Sequence, residues 1–324
     1  MEAGSQPCVA VLANQPREVL DQLAEHFEVH DVHAAPAARL AELGPRVRGV
    51  VTTGWAGVPT SLLRLMPALE ICAISGVGLE TTDLALCAER GVVVTTAPVM
   101  FDDVADLAIL LALACCRRLI SADRLVRAGQ WGTQSFGPGR KLTGMRVGLI
   151  GLGRIGHEVA RRLEGFRTPI AYADPVAQDV PYQRFPDTET LARNSDVLFL
   201  CAAGKPKGSG QPFIADRKTF EALGPRGIFI NVARGWLVDE RALCELLADG
   251  RLGAAGLDVF DDEPNVPEAL WALDNVVLSP HIASHTEETN RAMGRSVVDN
   301  LTNWFAGRGP LTPVPATVRD RAGH

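Results

Sequence analysis

Arg146-Val-Gly-Leu-Ile150 runs straight into Gly151-Leu-Gly153-Arg-Ile-Gly156, which opens His157-Glu-Val-Ala-Arg-Arg-Leu-Glu164. A short apolar run reads as a buried strand, the three glycines as the turn after it, and Arg154–Glu164 as the helix that follows. The first glycine permits a tight turn, the second lets the backbone approach a pyrophosphate, and the third lets helix and strand pack closely. The helix N-terminus offers amides and the positive end of its dipole to phosphates, and Arg154 adds a formal charge. Gly-x-Gly-x-x-Gly alone also marks ordinary turns, but between a strand and a helix it reads as the phosphate cradle of a dinucleotide site. One strand later, Ile170–Ala173 ends in Asp174, 21 residues beyond Gly153, near the ~20 expected of the acidic residue that meets the ribose 2′-hydroxyl. A carboxylate there repels a 2′-phosphate, which predicts NADH in preference to NADPH. The competing reading is that Asp174-Pro175 merely starts a turn.

The same alternation extends outward from this unit. Val9–Ala13, Val47–Thr52, Ile71–Ser75 and Val92–Thr95 read as strands before it; Asp196–Ala202, Ile228–Val232, Ala255–Val259 and Val276–Leu278 read as strands after it. Helical segments include Arg17–His26, Thr82–Arg90, Arg217–Leu223 and Glu240–Ala248, with long helices over Asp102–Val126 and Glu287–Phe305. β-Branched strands alternating with helices predict an α/β protein of two doubly wound parallel-sheet domains. The tail, Gly307–His324, carries three prolines and is expected to be extended or mobile.

Length and composition agree and remove several classes of function. At about 150 residues per domain, 324 residues predict two domains. Apolar residues at 47% and charged residues at 22% exclude wholesale disorder. No apolar run is long enough to span a bilayer, and Met1–Cys8 lacks the pattern of a secretory signal. Seven cysteines without a CxxC pair or a metal-ligand spacing read as reduced thiols of a cytoplasmic protein, with no metal expected. A net charge of −6 without a basic stripe argues against nucleic acid and membrane as partners.

In open parallel sheets, ligands bind beyond the carboxyl ends of the strands. Three such ends carry polar groups: Ala233-Arg234-Gly235, Asp261-Asp262-Glu263-Pro264 and Ser279-Pro280-His281. Singly, they read as a surface arginine, a turn and a capping or core histidine. Together at the rim of a dinucleotide loop they match hydride transfer to a carbonyl. Arg234 would fork onto the substrate carboxylate and ketone oxygen. His281 would exchange a proton near neutrality, oriented by Glu263.

With these motifs assembled, the chain resembles the D-isomer-specific 2-hydroxyacid dehydrogenase family from about Gly49 to Pro313. Further motifs are Ser75-Gly-Val-Gly78, Asp102-Asp-Val-Ala-Asp106, Asn231-Val-Ala-Arg-Gly235 with Val238-Asp-Glu240, and Gly256-Leu-Asp-Val-Phe260. Asp102–Asp106 and Gln130-Trp131-Gly132 are similar to the hydroxypyruvate, glyoxylate and 2-ketogluconate reductase branch. The resemblance implies a Rossmann dinucleotide-binding domain, residues 102–283, inserted into a flavodoxin-like substrate domain, residues 1–101 and 284–324. It implies Arg234, Glu263 and His281 as the catalytic set, with Val77 and Gly78 completing the substrate-carboxylate site. Gly151, Gly153, Arg154, Ile155 and Gly156 would meet the pyrophosphate, and Asp174 the adenosine ribose. Val232, Ala233, Arg234, Asp258 and His281 would lie on the nicotinamide side. It further implies a small 2-oxo or 2-hydroxy acid as substrate, NAD(H) as cofactor, and a homodimer joined through Asp102–Val126 and Gly129–Arg140.

Two departures bear on that expectation. Where relatives carry a short turn after the Asp196–Ala202 strand, this chain has Gly204-Lys-Pro-Lys207-Gly-Ser-Gly-Gln211, longer and basic. Lys205 or Lys207 could draw a phosphate and oppose Asp174; a solvated loop is the alternative. The reductase branch also often places Ser or Arg near Asp174 and prefers NADPH. Other activities on this scaffold are an NAD-sensing, corepressor-like binding protein and a phosphite dehydrogenase; formate dehydrogenases carry Gln where Glu263 stands.

Overall fold

The computed structural model describes residues 6–205 and 207–318. The first five residues of the Met1–Cys8 segment, Pro206 of the basic loop and the last six residues of the tail lie outside the described residues. The chain divides into two compact units, Met1–Met100 with Thr286–His324, and Phe101–His285.

The first unit is a parallel five-stranded sheet of β1 (Cys8–Val11), β2 (Glu28–Asp31), β3 (Val47–Thr53), β4 (Ile71–Ser75) and β5 (Val93–Thr95), in the order β2-β1-β3-β4-β5. Its Val- and Ile-rich strands are buried on both faces. Leu40, Leu63 and Met66 cover one face; Leu23, Phe27, Val297 and Leu301 cover the other. The Glu287–Phe305 helix, capped by the Thr286 hydroxyl, thus belongs to this core although it lies far along the chain.

As far as residue 318 the tail is docked against the first unit's sheet. β5 is an edge strand whose outer amides need acceptors, and the tail supplies partners. The Val314 amide donates to the Val94 carbonyl at 2.7 Å, the Val94 amide to the Thr317 hydroxyl at 3.0 Å, and Val314 and Thr317 are buried.

The second unit is a parallel seven-stranded sheet: β6 (Val147–Ile150), β7 (Ile170–Ala173), β8 (Gln183–Arg184), β9 (Val197–Leu200), β10 (Ile228–Asn231), β11 (Ala254–Leu257) and β12 (Val276–Leu278). The order β12-β11-β10-β9-β6-β7-β8 reverses direction between β6 and β9, the doubly wound Rossmann arrangement. Because all pairings are parallel, every strand delivers its C-terminal residues to one rim.

The long helix expected over Asp102–Val126 is two helices, Phe101–Arg117 and Leu119–Arg127. Arg118 between them adopts φ +52°, with its guanidinium 4.8 Å from the Phe136 ring centroid. The Cys116 carbonyl accepts from the Arg140 amide at 2.7 Å, so the returning loop takes an acceptor at the break. The strands β2 and β8 carry no sequence signal: one is the polar, partly exposed Glu-Val-His-Asp, the other only two residues long.

Candidate active site

The cradle residues sit where β6 ends. Gly151 has φ +86°, and a Cβ there would lie 2.6 Å from the Ala202 Cα; a Cβ on Gly156 would lie 2.4 Å from the Gly151 carbonyl oxygen. Both positions therefore require glycine. At Gly153, which caps the Arg154–Glu164 helix, an added Cβ meets nothing within 4 Å. The position is open at the N-terminus of this helix, where unpaired backbone amides suit a pyrophosphate. The Arg154 guanidinium lies 4.3 Å from the centroid of Phe101. Arg162 bridges the cradle helix to its neighbour, reaching Asp102 at 3.0 Å, Asp106 at 2.5 Å and Glu158 at 2.7 Å. Asp174 stands at the end of β7 and accepts from the Leu152 amide in the cradle and from the Val176 amide, both at 2.9 Å.

Three strand ends further along the rim build the polar set. After β10, the Asn231 carboxamide clamps its own turn, its Oδ1 accepting from the Ala233 amide and its Nδ2 donating to the Arg234 carbonyl. Arg234 follows Val232 and Ala233, both buried, and donates to the Ala233 carbonyl at 2.8 Å. Gly235 is the contact point: a Cβ there would lie 1.8 Å from the Phe260 carbonyl carbon. Only glycine lets the Arg234 turn seat against the segment that carries Glu263.

Glu263 and His281 meet directly, Oε2 to Nδ1 at 2.8 Å, while Glu263 Oε1 accepts from the Phe260 amide at 2.8 Å. Burial is the largest influence on the Glu263 carboxyl and pushes its pKa up. The hydrogen bonds from His281 and Phe260, with the positive charges of His281 and Arg234, outweigh it and hold the pKa below its ordinary value. His281 itself adopts φ +53°. Its amide donates to the Asp258 carbonyl at 2.9 Å. The wholly buried Asp258 carboxylate accepts from Ser279 Oγ at 2.6 Å, the Ile282 amide at 2.9 Å and the Ala283 amide at 3.0 Å. Burial raises the pKa of Asp258, and these donors oppose it only in part. Asp258 therefore anchors the His281 loop, a role that position and charge alone did not reveal.

The second unit thus brings together Arg234, Glu263, His281, Asp258, Val232, Ala233, Asp174 and the Gly151–Gly156 cradle. Val77 and Gly78 belong to the first unit, after β4, where Gly78 lies against Gly54. The basic loop turns toward the polar set: Lys207 Nζ pairs with Asp261 at 2.9 Å, and Trp236 Nε1 donates to the Lys205 carbonyl at 3.2 Å. Cys201, at the end of β9, has its thiol pushed up to about 12 by burial, which disqualifies it as a nucleophile at neutral pH.

Two other features lie apart from the rim. Cys8, Glu28 and His30 have potential ligand atoms within 4.8 Å of one another, a cluster built by strand pairing that spacing could not show. Arg46 holds both Glu28 oxygens, at 2.7 and 2.5 Å, so the group is an ion-pair cluster. A cavity of about 300 Å³ opens at the opposite ends of β10–β12, among Arg118, Arg140 and Arg226.

Comparison with known proteins follows this geometry. Residues 109–283 match the family model described as D-isomer specific 2-hydroxyacid dehydrogenase, NAD binding domain. A glyoxylate/hydroxypyruvate reductase of Arabidopsis thaliana is 46% identical over 83% of this chain and 85% of its own length. A hydroxyphenylpyruvate reductase of Plectranthus scutellarioides is 44% identical over 90% and 94%. Among solved structures, an NADPH-dependent glyoxylate/hydroxypyruvate reductase of Sinorhizobium meliloti, in complex with NADP and malonate, superposes with a TM-score of 0.90 at 40% identity, covering 98% of this chain and all of that one.

Proposed function

The chain belongs to the D-isomer-specific 2-hydroxyacid dehydrogenase family, and from that premise we propose that it reduces a small 2-oxo acid to its D-2-hydroxy acid, using NADH in preference to NADPH, with His281 as acid/base. The observation that carries the assignment of roles is the 2.8 Å contact between His281 Nδ1 and Glu263, beside Arg234 and on the same rim as the cradle.

When bound, the nicotinamide cofactor supplies the hydride in reduction and accepts it in the reverse direction. Gly151, Gly153, Arg154, Ile155 and Gly156 would hold its pyrophosphate and Asp174 its adenosine ribose, with Val232, Ala233 and Asp258 on the nicotinamide side. Arg234 presents a planar, permanently charged fork that binds the substrate carboxylate and polarises the ketone oxygen. Glu263, held as a carboxylate, accepts from Nδ1–H of His281, which fixes the ring orientation and makes Nε2 the nitrogen that delivers a proton to the substrate oxygen. As negative charge develops there, the imidazolium donates its proton, and the reverse reaction returns it.

The names of the relatives supply the substrate panel: glyoxylate, hydroxypyruvate, hydroxyphenylpyruvate and 2-ketogluconate. Turnover with at least one, tracked by loss of NADH absorbance, is expected. His281→Asn should lower kcat by roughly 10²–10⁴-fold while NADH affinity, read by fluorescence titration, stays within a few-fold. A protein that binds NADH tightly and reduces none of these acids would instead be an NAD-sensing binding protein. A homodimer completes the proposal, joined through the surface carrying Leu110, Leu119, Ile120, Val126 and Trp131, which is 81% exposed.

A further inference from the structure

Arg184 occupies a position that the sequence motifs do not reach. It forms the end of β8, paired opposite Tyr172 of β7, and its side chain extends to the C-terminal rim. Nε and Nη2 donate to the Asp174 carbonyl at 3.2 and 2.9 Å, and Nη2 also donates to the Pro175 carbonyl at 3.0 Å. A guanidinium is thereby fastened to the residue whose carboxylate, tied to the cradle through the Leu152 amide, is assigned to the ribose 2′-hydroxyl. Its partners there are neutral carbonyls. Among the described residues the contacts of the Arg184 guanidinium are these backbone carbonyls and no carboxylate pairs with it, and the residue is exposed, so its charge is not cancelled by an anion of the protein. The other basic candidate, Lys207, is taken by Asp261 on the Glu263 side.

We propose that Arg184 receives the 2′-phosphate of NADPH, so that the protein binds both nicotinamide cofactors and Arg184 determines how far NADPH competes. Asp174 and Arg184 act on a 2′-phosphate with opposite sign. The carboxylate repels it, while the guanidinium offers Nη1 donors that make no contact with the 174–175 carbonyls. Asp174 therefore sets a preference for NADH without excluding NADPH. This inference rests on the reading of Asp174 as the ribose acceptor.

The test is direct cofactor binding, by fluorescence titration of NADH and NADPH against the purified full chain. Wild type should bind NADPH measurably, though more weakly than NADH. Arg184→Ala should weaken NADPH by about tenfold or more and leave NADH within about twofold. Arg184→Lys, which keeps the charge, should retain much of the NADPH affinity. Raising ionic strength should weaken NADPH binding more in wild type than in Arg184→Ala. Asp174→Ser should tighten NADPH, and adding Arg184→Ala should remove that gain. Equal losses for both cofactors in both Arg184 variants would mean that Arg184 only supports the 174–175 turn, and would overturn the proposal. So would a wild-type protein that binds no NADPH, or NADPH affinity indifferent to Arg184. Because turnover is not the readout, a protein that binds both cofactors through Arg184 but reduces no 2-oxo acid would refute the reductase reading and leave this one standing.

Discussion

His281 is held in a left-handed backbone conformation that costs a non-glycine residue on the order of 1–2 kcal/mol. The cost is met by fixing its loop at both the amide and the following residues, through the carbonyl and carboxylate of Asp258. The imidazole reaches Glu263 because the backbone beneath it cannot relax. Replacing Glu263 by Gln removes the negative partner of the imidazolium. In the proposed mechanism, the limb on which 2-oxo acid reduction falls with rising pH should move to lower pH, and kcat should drop more than NADH affinity. Identical pH profiles for the two proteins would show that Glu263 does not act through His281. Gly235→Ala tests a different contact. Its Cβ would overlap the Phe260 carbonyl carbon, separated by only 1.8 Å. Overpacking of this kind should destabilise the protein by roughly 1–3 kcal/mol or displace the Arg234 turn. Urea unfolding and the KM for the 2-oxo acid would separate the two effects.

Elements are pinned at their ends as well as through their apolar faces. Asp196, at the start of β9, accepts from the amide and guanidinium of Arg146 at the start of β6, at 2.9 to 3.2 Å. The Arg146 hydrogen bonds lower the Asp196 pKa, and the opposing effect of burial is smaller. A carboxylate depressed in the folded state stabilises the fold above its unfolded value of about 3.9, and the contribution disappears as pH falls through the folded value. Asp196→Asn should therefore cost about 1 kcal/mol at neutral pH, after allowing for the solvent exposure of the pair, and nothing in acid. Chemical denaturation at the two pH values checks it. Truncation after Gly309 should cost at least about 2 kcal/mol, by exposing Val314's site and the edge of β5. A lowered thermal midpoint is the expected reading.

The sequence is informative where one strong local signal dominates. Ile71–Ser75, Ile170–Ala173, Arg154–Glu164 and Glu287–Phe305 have the same limits in the sequence pattern and in the structure, because apolar runs or caps bound them. Arg234, Glu263 and His281 stand out in the sequence as candidates because each follows a legible strand, and the Glu263–His281 pairing appears only in the structure. β2 and β8 depend instead on pairing with distant neighbours, and polar Glu28 and Arg184 hide them. The break at Arg118 is tertiary in origin, set by Phe136 and Arg140 returning from the next loop. Asp258 and Gly235 reveal their roles only when separate strand ends lie side by side.

For the whole molecule, the exposed apolar residues between Leu110 and Phe136 predict association. Sedimentation equilibrium should give twice the chain mass of 34.7 kDa. Leu119→Arg combined with Val126→Arg should halve it, since burying two unpaired charges in an apolar interface is unfavourable. A wild-type monomer at micromolar concentration would remove the homodimer.

The first unit takes its strands from the beginning of the chain but its covering helix, and the segment that closes β5, from the end. During synthesis, β1, β3 and β4 leave the ribosome with one apolar face bare, and Val297, Val298 and Leu301 arrive only after all of Phe101–His285 has emerged. The second unit, contiguous in sequence, has its whole core available earlier. Biogenesis should therefore run opposite to chain order, the later-made unit folding first. Nascent chains arrested with residue 285 just clear of the exit tunnel should show a protease-resistant core from residues 101–285, while residues 6–100 are still cleaved.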